Sequence, residues 1–168
     1  MIAILLAALA LQSAAPSSAP ASTPLVGAVE PDLASREASA VLDQMHQAAA
    51  RGDGEDYFAL FAPNARFIGT DATEHWNLDQ FHAYADPFFA QGQGWTYHPR
   101  DRTLTVSGDV AWFDEMLDHD DYGVLRGSGV LRREGGAWKI EQYVLSFAVP
   151  NDAIDAFVAV IQEADEAP

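Results

Sequence analysis

The sequence contains no cysteine, and this absence excludes several kinds of protein. The chain cannot form disulfides, cannot use a thiol nucleophile, and cannot be anchored to a membrane through a lipid-modified cysteine. It also has no Gly-x-Ser-x-Gly turn, no glycine-rich phosphate loop and no repeat of fixed period, which disfavours hydrolases of that kind, nucleotide-binding loops and solenoids. The stability of the fold must therefore come from packing.

Positive charge is scarce. The chain has 9 Lys and Arg against 25 Asp and Glu, a formal net charge of −16 at pH 7. Nucleic acid is not an expected partner, because phosphate binding needs clusters of Lys and Arg. The five histidines show no pair at metal-ligand spacing, and the acidic run at residues 118–121 lacks the glycine-bearing loop of calcium sites. We therefore expect no metal and no other cofactor.

The N-terminal residues read as a secretion signal. Residues 2–11 form an uninterrupted apolar run, and small residues follow it, as beside a signal peptidase cleavage site. The run is too short to span a bilayer as a mature helix, although no Lys or Arg precedes it. We predict a signal peptide over residues 1–15, a flexible Ala/Pro/Ser linker over 16–31 and a single domain over 32–168. The mature protein is expected to be periplasmic or secreted and free of the membrane.

Helical periodicity predicts the first elements of this domain. One face at helical spacing carries Ala38, Val41, Leu42, Met45, Ala48 and Ala49. Gly52 stands where a left-handed cap ends such a helix. A short second helix is predicted over residues 55–61 and a brief strand over 65–69. Asn77 with Gln80 predicts a capping box that opens a third helix, which Pro87 should end or kink.

Strands dominate the second half of the chain. We predict them over residues 95–98, 104–107, 110–117, 124–133 and 138–149, with tight hairpin turns at 108–109 and 134–136. A final helix after Pro150 would carry Ile154, Phe157, Val158 and Ile161 on one side. The pattern predicts an α+β fold, in which three helices pack on the concave face of a strongly curved antiparallel sheet and a C-terminal helix follows.

Several runs of residues are familiar as a set. They are Gly52-Asp53, Ala59-Leu60-Phe61-Ala62-Pro63-Asn64-Ala65-Arg66-Phe67, Gly69-Thr70-Asp71 with Glu74 and Trp76, Ala111-Trp112-Phe113-Asp114-Glu115, Arg126-Gly127-Ser128-Gly129-Val130-Leu131, and Trp138-Lys139-Ile140-Glu141-Gln142-Tyr143. Together they resemble the SnoaL-like domains of the nuclear transport factor 2-like superfamily. The resemblance implies the conical α+β fold, a deep pocket and frequent homodimers. It implies no single activity, because this fold carries isomerases, cyclases, dehydratases, hydrolases and binding modules.

The chain departs from the steroid isomerases of that superfamily. Those enzymes place a base on the first strand and a tyrosine on the first helix. Aligning the chain on Gly52 and Phe61 puts Gly69 and Met45 at these positions, and neither can do that chemistry. The resemblance therefore disfavours the usual steroid-isomerase mechanism.

Two carboxylates lie in the middle of the strand predicted over residues 110–117. Successive strand residues point to opposite faces, so one of the two acids must be buried. We expect Asp114, on the side of Trp112, to point into a dry cavity and to act as a base with a raised pKa. The alternative is an ion pair with Arg126 or Arg133 on the next strand. Glu115 is expected on the opposite, more solvated face, and the alternative assignment exchanges the two faces.

The remaining site candidates come from loops, helices and the last strand. Glu74, in the loop before the third helix, is the predicted catalytic counterpart of Asp114. The candidates for ligand binding are Asp71, Trp76, Trp112, Gln142, Tyr57 and Tyr84. The alternative role of Asp71 is capping of a short turn, and that of Glu74 is hydrogen bonding to backbone amides. The alternative for Gln142 is a satisfied core amide, and the alternative for the aromatic side chains is plain packing.

Two functions follow from these candidates. The first is an exported enzyme that binds a small apolar molecule and performs cofactor-free acid/base chemistry of isomerase, cyclase, dehydratase or hydrolase type. The second is a non-catalytic periplasmic module for ligand binding or dimerisation. The sequence does not separate them.

Overall fold

A computed structural model describes residues 32–165 of the chain, so the predicted signal peptide and linker, residues 1–31, lie outside the described residues. In chain order the elements are α1 (Leu33–Arg51), α2 (Gly54–Ala59), β1 (Phe61–Ile68), β2 (His75–Asn77), α3 (Leu78–Phe89), β3 (His98–Ser107), β4 (Val110–His119), β5 (Gly123–Glu134), β6 (Ala137–Phe147), a 3-10 turn (Asn151–Ala153) and α4 (Ile154–Asp165). No helix among these residues combines the length and the apolar character that crossing a bilayer requires.

The six strands form one curled, unclosed sheet in the order β2-β1-β6-β5-β4-β3. All neighbouring strands are antiparallel except β1 and β6, which are parallel. Helices α1, α2 and α3 pack against the sheet, and apolar side chains from both layers form one core. The predicted α+β fold with a curved sheet and helices on one side is confirmed.

Local sequence signals explain where α1 and α3 begin. The Asp32 carboxylate accepts a hydrogen bond from the Ser35 amide at 2.7 Å, and Gly52 ends α1 with a φ of 67°. Asn77 and Gln80 form the predicted capping box, with hydrogen bonds of 2.9 and 3.0 Å. These caps satisfy some of the four amide groups that each helix N-terminus leaves without a partner in the helix.

Helix α3 continues past Pro87, to Phe89, so of the two expectations, an end or a kink at the proline, the end is wrong. Pro87 lacks an amide hydrogen and removes one helical hydrogen bond. The amide of Ala90 still donates to the Asp86 carbonyl at 2.8 Å, and the Gln91 side chain donates to the Pro87 carbonyl at 2.6 Å. The last turn is therefore held without the missing bond.

Strands β3 and β6 are less regular than predicted. Residues 95–97 belong to no strand, so the strand predicted over 95–98 is wrong. Strand β3 begins at His98 and includes the segment predicted over 104–107, and its pairing with β4 is irregular around Asp101, where φ is 51°. Strand β6 has a bulge, because its pairing with β5 steps from Leu131↔Ile140 to Val130↔Gln142. The bulge reverses the inward and outward sides of the strand beyond Ile140.

Helix α4 carries the predicted apolar residues but does not bury them. The side chain of Phe157 is 42% exposed, and those of Val158 and Ile161 are 43% and 45% exposed. A helix with this pattern normally covers apolar surface.

Candidate functional site

Strand β4 buries Glu115 rather than Asp114. Glu115 has 0% of its surface exposed, whereas Asp114 and its neighbour Trp112 are exposed on the outer face of the sheet. The prediction that Asp114 points into a dry cavity is therefore wrong. The helices pack on the side of β4 that carries Phe113 and Leu117, and Glu115 lies between these two residues.

Three side chains satisfy the buried Glu115 carboxylate. Its Oε1 lies 2.8 Å from Nε2 of His46 and accepts a hydrogen bond from the Tyr143 hydroxyl at 3.0 Å. Its Oε2 accepts a hydrogen bond from Nε of Arg102 at 2.7 Å and forms an ion pair with Nη2 of the same residue, also at 2.7 Å. These four residues are called the Glu115 cluster below. Buried charge of this kind is tolerated only when it is paired and fully hydrogen-bonded.

The cluster keeps Glu115 ionised. Burial alone would raise the pKa of the Glu115 carboxyl, but the hydrogen bond from His46 and the positive charge of Arg102 outweigh it and lower the pKa below its ordinary value. The same burial and the Glu115 charge raise the pKa of Tyr143 well above its ordinary value. At neutral pH the cluster therefore contains a carboxylate and a protonated phenol.

Arg102 ties the cluster to the first helix. Its Nη1 donates to the Ser39 hydroxyl at 2.7 Å, the Ser39 carbonyl at 3.0 Å and the Asp43 carboxylate at 2.7 Å. Arg102 lies where the pairing of β3 with β4 is irregular, just after Asp101. The irregularity therefore coincides with the residue that bridges β3 to α1.

Two glycines of β5 make room for the cluster. Gly127 pairs with Glu115 in the register of β4 and β5, and Gly129 pairs with Tyr143 across β5 and β6. A side chain at residue 127 would collide with the Tyr143 hydroxyl, and one at residue 129 with the backbone carbonyl of Gln142. Glycine at both positions allows the large side chains to meet.

A cavity of about 400 Å³ opens beside the cluster, with His46 and Tyr143 on its wall. Among residues 32–165, 17 line the cavity, ten of these are Phe, Trp or Tyr, and all five tyrosines of the chain are included. The Phe67 ring lies nearly parallel to those of Phe81 and Tyr143, with centroids 3.9 and 5.7 Å away. Trp76 and Tyr84 stack at 4.6 Å. Such walls suit a flat, apolar molecule.

The wall of the cavity has little formal charge. Among the described lining residues, His46 and Glu74 are the only ionisable ones besides the tyrosines, and none is Lys or Arg. Burial, with neighbouring Tyr122, Tyr84 and the Glu74 charge, raises the pKa of Tyr97 to about 12. The same part of the chain holds no group of three or more His, Asp or Glu side chains arranged for a metal ion.

The structure separates the predicted site residues into two groups. Glu74, Trp76, Tyr57 and Tyr84 lie on the cavity wall; their roles in binding or catalysis stay predictions.

The other candidates lie elsewhere. Asp114, Trp112 and Gln142 are on the outer face of the sheet, Gln142 because of the bulge in β6. The Asp71 carboxylate accepts hydrogen bonds from the amide and hydroxyl of Thr73 at 2.8 and 2.6 Å, which is the capping alternative. The expectation that Asp114, Trp112 and Gln142 face the cavity is wrong, and Asp71 is not among the lining residues.

Sequence reasoning missed His46, Arg102 and Tyr143, and it placed Glu115 on the wrong face. Two signals point to the right residues. His46 follows Leu42 by four residues, which puts it on the apolar face of α1. Glu115 alternates with Phe113 and Leu117, whereas the other face of β4 carries two acids.

Residues 38–150 match the family model of the SnoaL-like domain. The chain belongs to the SnoaL-like domain family. No protein of curated function matches it. The match covers most of the described residues of the SnoaL-like chain, from Ala38, the first buried residue of α1, to just beyond the end of the sheet.

Solved structures share the fold of this SnoaL-like domain. An NTF2-like protein of unknown function from Pseudomonas putida KT2440 has 16% identity and a TM-score of 0.61, over 71% of this chain and 90% of that chain. A proposed dehydratase of the NTF2-like family from Streptomyces avermitilis has 15% identity and a TM-score of 0.59, over 68% and 96%. A proposed ketosteroid isomerase from Shewanella frigidimarina has 18% identity and a TM-score of 0.52, over 66% and 94%. At these identities the likeness shows the fold alone.

Proposed function

We propose that this SnoaL-like domain binds a small, flat and largely apolar molecule in the aromatic cavity and moves a proton on it without a cofactor, with His46 as the proton acceptor. The observation that carries the proposal is the 2.8 Å contact between Nε2 of His46 and the buried Glu115 carboxylate, on the wall of the cavity. A histidine oriented by a carboxylate is a common general base.

The hydrogen bond to Glu115 selects the tautomer of His46. An ionised carboxylate only accepts hydrogen bonds, so neutral His46 carries its proton on Nε2 and leaves Nδ1 as an acceptor. Within residues 32–165, the bond to Glu115 is the only hydrogen bond of the His46 ring. The ring borders the cavity, so Nδ1 is available to a ligand.

The rest of the cluster supports proton uptake at His46. When Nδ1 takes a proton from a bound molecule, the imidazolium that forms lies beside the Glu115 carboxylate, which stabilises it. The hydrogen bond from His46, with the positive charge of Arg102, lowers the pKa of Glu115, so Glu115 stays an ionised carboxylate beside the imidazolium. Return of that proton to another carbon of the ligand is an isomerisation, and its transfer to a departing hydroxyl is a dehydration. Glu74, which lines the same cavity, remains the proposed second acid or base.

A generic base-sensitive substrate tests this proposal while the natural one is unknown. Nitrobenzisoxazole is flat and aromatic; a base removes its ring C–H proton, and the N–O bond breaks to release a coloured phenolate. We expect the purified protein to open this ring faster than imidazole in solution. His46→Gln should lower the rate by roughly 10²-fold or more, the usual contribution of a general base.

His75→Gln is the matched control, because His75 is exposed on β2 and does not line the cavity. Circular dichroism and thermal melting would show that both variants fold. Equal rates for His46→Gln and wild type would contradict the role of His46. Native mass spectrometry of the protein purified without denaturation would then identify a bound molecule and replace the generic substrate.

A non-catalytic ligand-binding module is the second candidate, and one observation favours it. Both oxygens of Glu115 are fully occupied by His46, Tyr143 and Arg102, as in a polar network that only holds a core together. In that case the protein binds flat aromatic molecules, and His46→Gln changes neither the binding nor the background rate of ring opening.

Export is a separate part of the proposal and is supported by the apolar run and small residues at 2–15. Expression of the full chain in a Gram-negative host should give a periplasmic protein shorter by the signal peptide. Intact mass spectrometry of the periplasmic fraction would read the cleavage position. Retention of the full-length chain in the cytoplasm would contradict export.

We also propose a homodimer, supported by the exposed apolar side chains of α4 and by Trp112 on the outer face of the sheet, which is 48% exposed. Light scattering coupled to gel filtration should give twice the mass of one chain. Phe157→Ser and Trp112→Ser, made separately, would show which of the two surfaces is buried. A monomer at high micromolar concentration would contradict the dimer.

A further inference from the structure

One side of the cavity combines a carboxylate with aromatic rings. Glu74 lies on the cavity wall together with Trp76, Tyr84 and Tyr122. Its negative charge contributes, after burial, to the raised pKa values of Tyr84 and Tyr97, so its field reaches these rings. A carboxylate in this setting attracts positive charge.

The backbone positions the Glu74 carboxylate. Oε2 accepts a hydrogen bond from the Asp71 amide at 3.2 Å, and the carboxylate occupies the space that a side chain on Gly69 would fill. The Glu74 carbonyl also accepts a hydrogen bond from the Gly69 amide at 2.8 Å. The loop between β1 and β2 therefore holds Glu74 at the cavity.

No described lining residue can neutralise this charge. Lys and Arg are absent from the lining residues within 32–165, and His46, the other ionisable group besides the tyrosines, is hydrogen-bonded to Glu115. The aromatic faces attract cations through their quadrupoles, and Trp and Tyr do so most strongly. The net charge of −16 adds a long-range field of the same sign. A carboxylate or phosphate ligand would meet repulsion from each of these sources.

We infer that the cavity selects an organic cation, a molecule with a protonated or quaternary ammonium group held between Glu74 and the rings of Trp76, Tyr84 and Tyr122, with its apolar part directed toward His46. The inference rests on the proposed function in one respect only, the assignment of this cavity as the ligand site. It does not depend on proton transfer by His46. The flat shape of the ligand is inferred from the aromatic wall, and its positive charge is inferred from Glu74.

Two ligands of the same shape test the charge. Benzyltrimethylammonium is a cation, and neopentylbenzene is its neutral carbon isostere. Quenching of tryptophan fluorescence reports binding, because Trp76 and Trp95 line the cavity. We expect the cation to bind more tightly than its isostere. Glu74→Gln should weaken binding of the cation by about tenfold and change binding of the isostere by less than about twofold.

Glu55→Gln is the matched control, since Glu55 is exposed on α2 and does not line the cavity; it should change neither affinity. A salt titration of the wild-type protein gives an independent test that needs no variant. Affinity for the cation should fall as sodium chloride rises from about 0.05 to 0.5 M, while that for the isostere should not.

The outcomes separate this inference from the proposed function. Tighter binding of the isostere, or an equal effect of Glu74→Gln on both ligands, overturns the inference and leaves the apolar ligand site intact. Binding of neither ligand overturns both the inference and the assignment of the cavity. Loss of ring opening in His46→Gln with unchanged binding of the cation supports both.

Discussion

The hydroxyl of Tyr143 occupies the space that a side chain on Gly127 would fill. That hydroxyl donates to the buried Glu115, which Gly127 faces across the pairing of β4 and β5. Because Gly127 on β5 has no side chain, Tyr143 on β6 can reach Glu115 on β4. The relationship links the glycines of β5 to the arrangement around His46.

Gly127→Ala should destabilise the protein. The added methyl group must displace Tyr143 or the backbone of β5, and overpacking of this kind lowers the free energy of unfolding by about 1–3 kcal/mol. Urea unfolding measures the change. Ser128→Ala, the next residue on the outer face of the same strand, is the control and should change stability by less than about 0.5 kcal/mol. Equal effects of the two substitutions would contradict the close contact.

Glu115→Gln should destabilise the protein in a pH-dependent way. The folded-state pKa of Glu115 is lowered, so its stabilising effect is fully present above the pKa of an unfolded glutamate, near 4.5, and is lost as the pH falls through the folded-state pKa. We expect the wild type to be more stable than the variant by about 3–5 kcal/mol at pH 7. The difference should shrink below about pH 4. Urea unfolding at pH 7, 5 and 3 would reveal it, and a constant difference would show that Glu115 does not titrate with folding.

Arg102→Lys should cost more than the same change at Arg100. Arg102 uses Nε and both Nη atoms on four acceptor groups, and a lysine ammonium cannot match this geometry. Arg100 lies on the same strand but makes exposed ion pairs with Asp101 and Asp118. We expect a loss of about 1–3 kcal/mol for Arg102→Lys and less than about 1 kcal/mol for Arg100→Lys in thermal or urea unfolding. Similar losses would mean that the bridge to α1 contributes little.

Asp114→Asn should leave both ring opening and ligand binding unchanged, because Asp114 faces away from the cavity. The neighbouring change Glu115→Gln should alter the rate of ring opening, since it changes the partner of His46. The two substituted residues are neighbours on β4 and point to opposite faces. Comparison of the two rates therefore tests which face of the strand contributes to ring opening. A large loss of rate in Asp114→Asn would contradict the assignment.

The sequence predicted the helices well because their signals are local. The apolar spacing of α1, Gly52 at its end and the capping box of Asn77 and Gln80 each depend on residues within one or two turns. Four residues that line the cavity were predicted as site candidates for a similar reason: Glu74, Trp76, Tyr57 and Tyr84. Side chains on loops and helices at the opening of a pocket are frequent ligand contacts.

The inward faces of β4 and β6 were harder to predict. Each face of β4 carries apolar residues on both sides of an acid. The alternation of the strand alone therefore does not show which face belongs to the core. The pairing of β5 with β6 contains a bulge beyond Ile140, and one extra residue moves Gln142 outward and Tyr143 inward. Arg102 was missed because it meets Ser39 and Asp43 across more than 50 residues of chain.

By itself the sequence determined the family, the order of the helices and of the long strands, the scarcity of positive charge and the presence of a carboxylate pair in β4. Only the tertiary structure decided that Glu115, rather than Asp114, is buried, and that His46, Arg102 and Tyr143 are its partners. Periodicity is a property of neighbouring residues, whereas the choice of face depends on where α1 packs and on which β5 positions lack side chains.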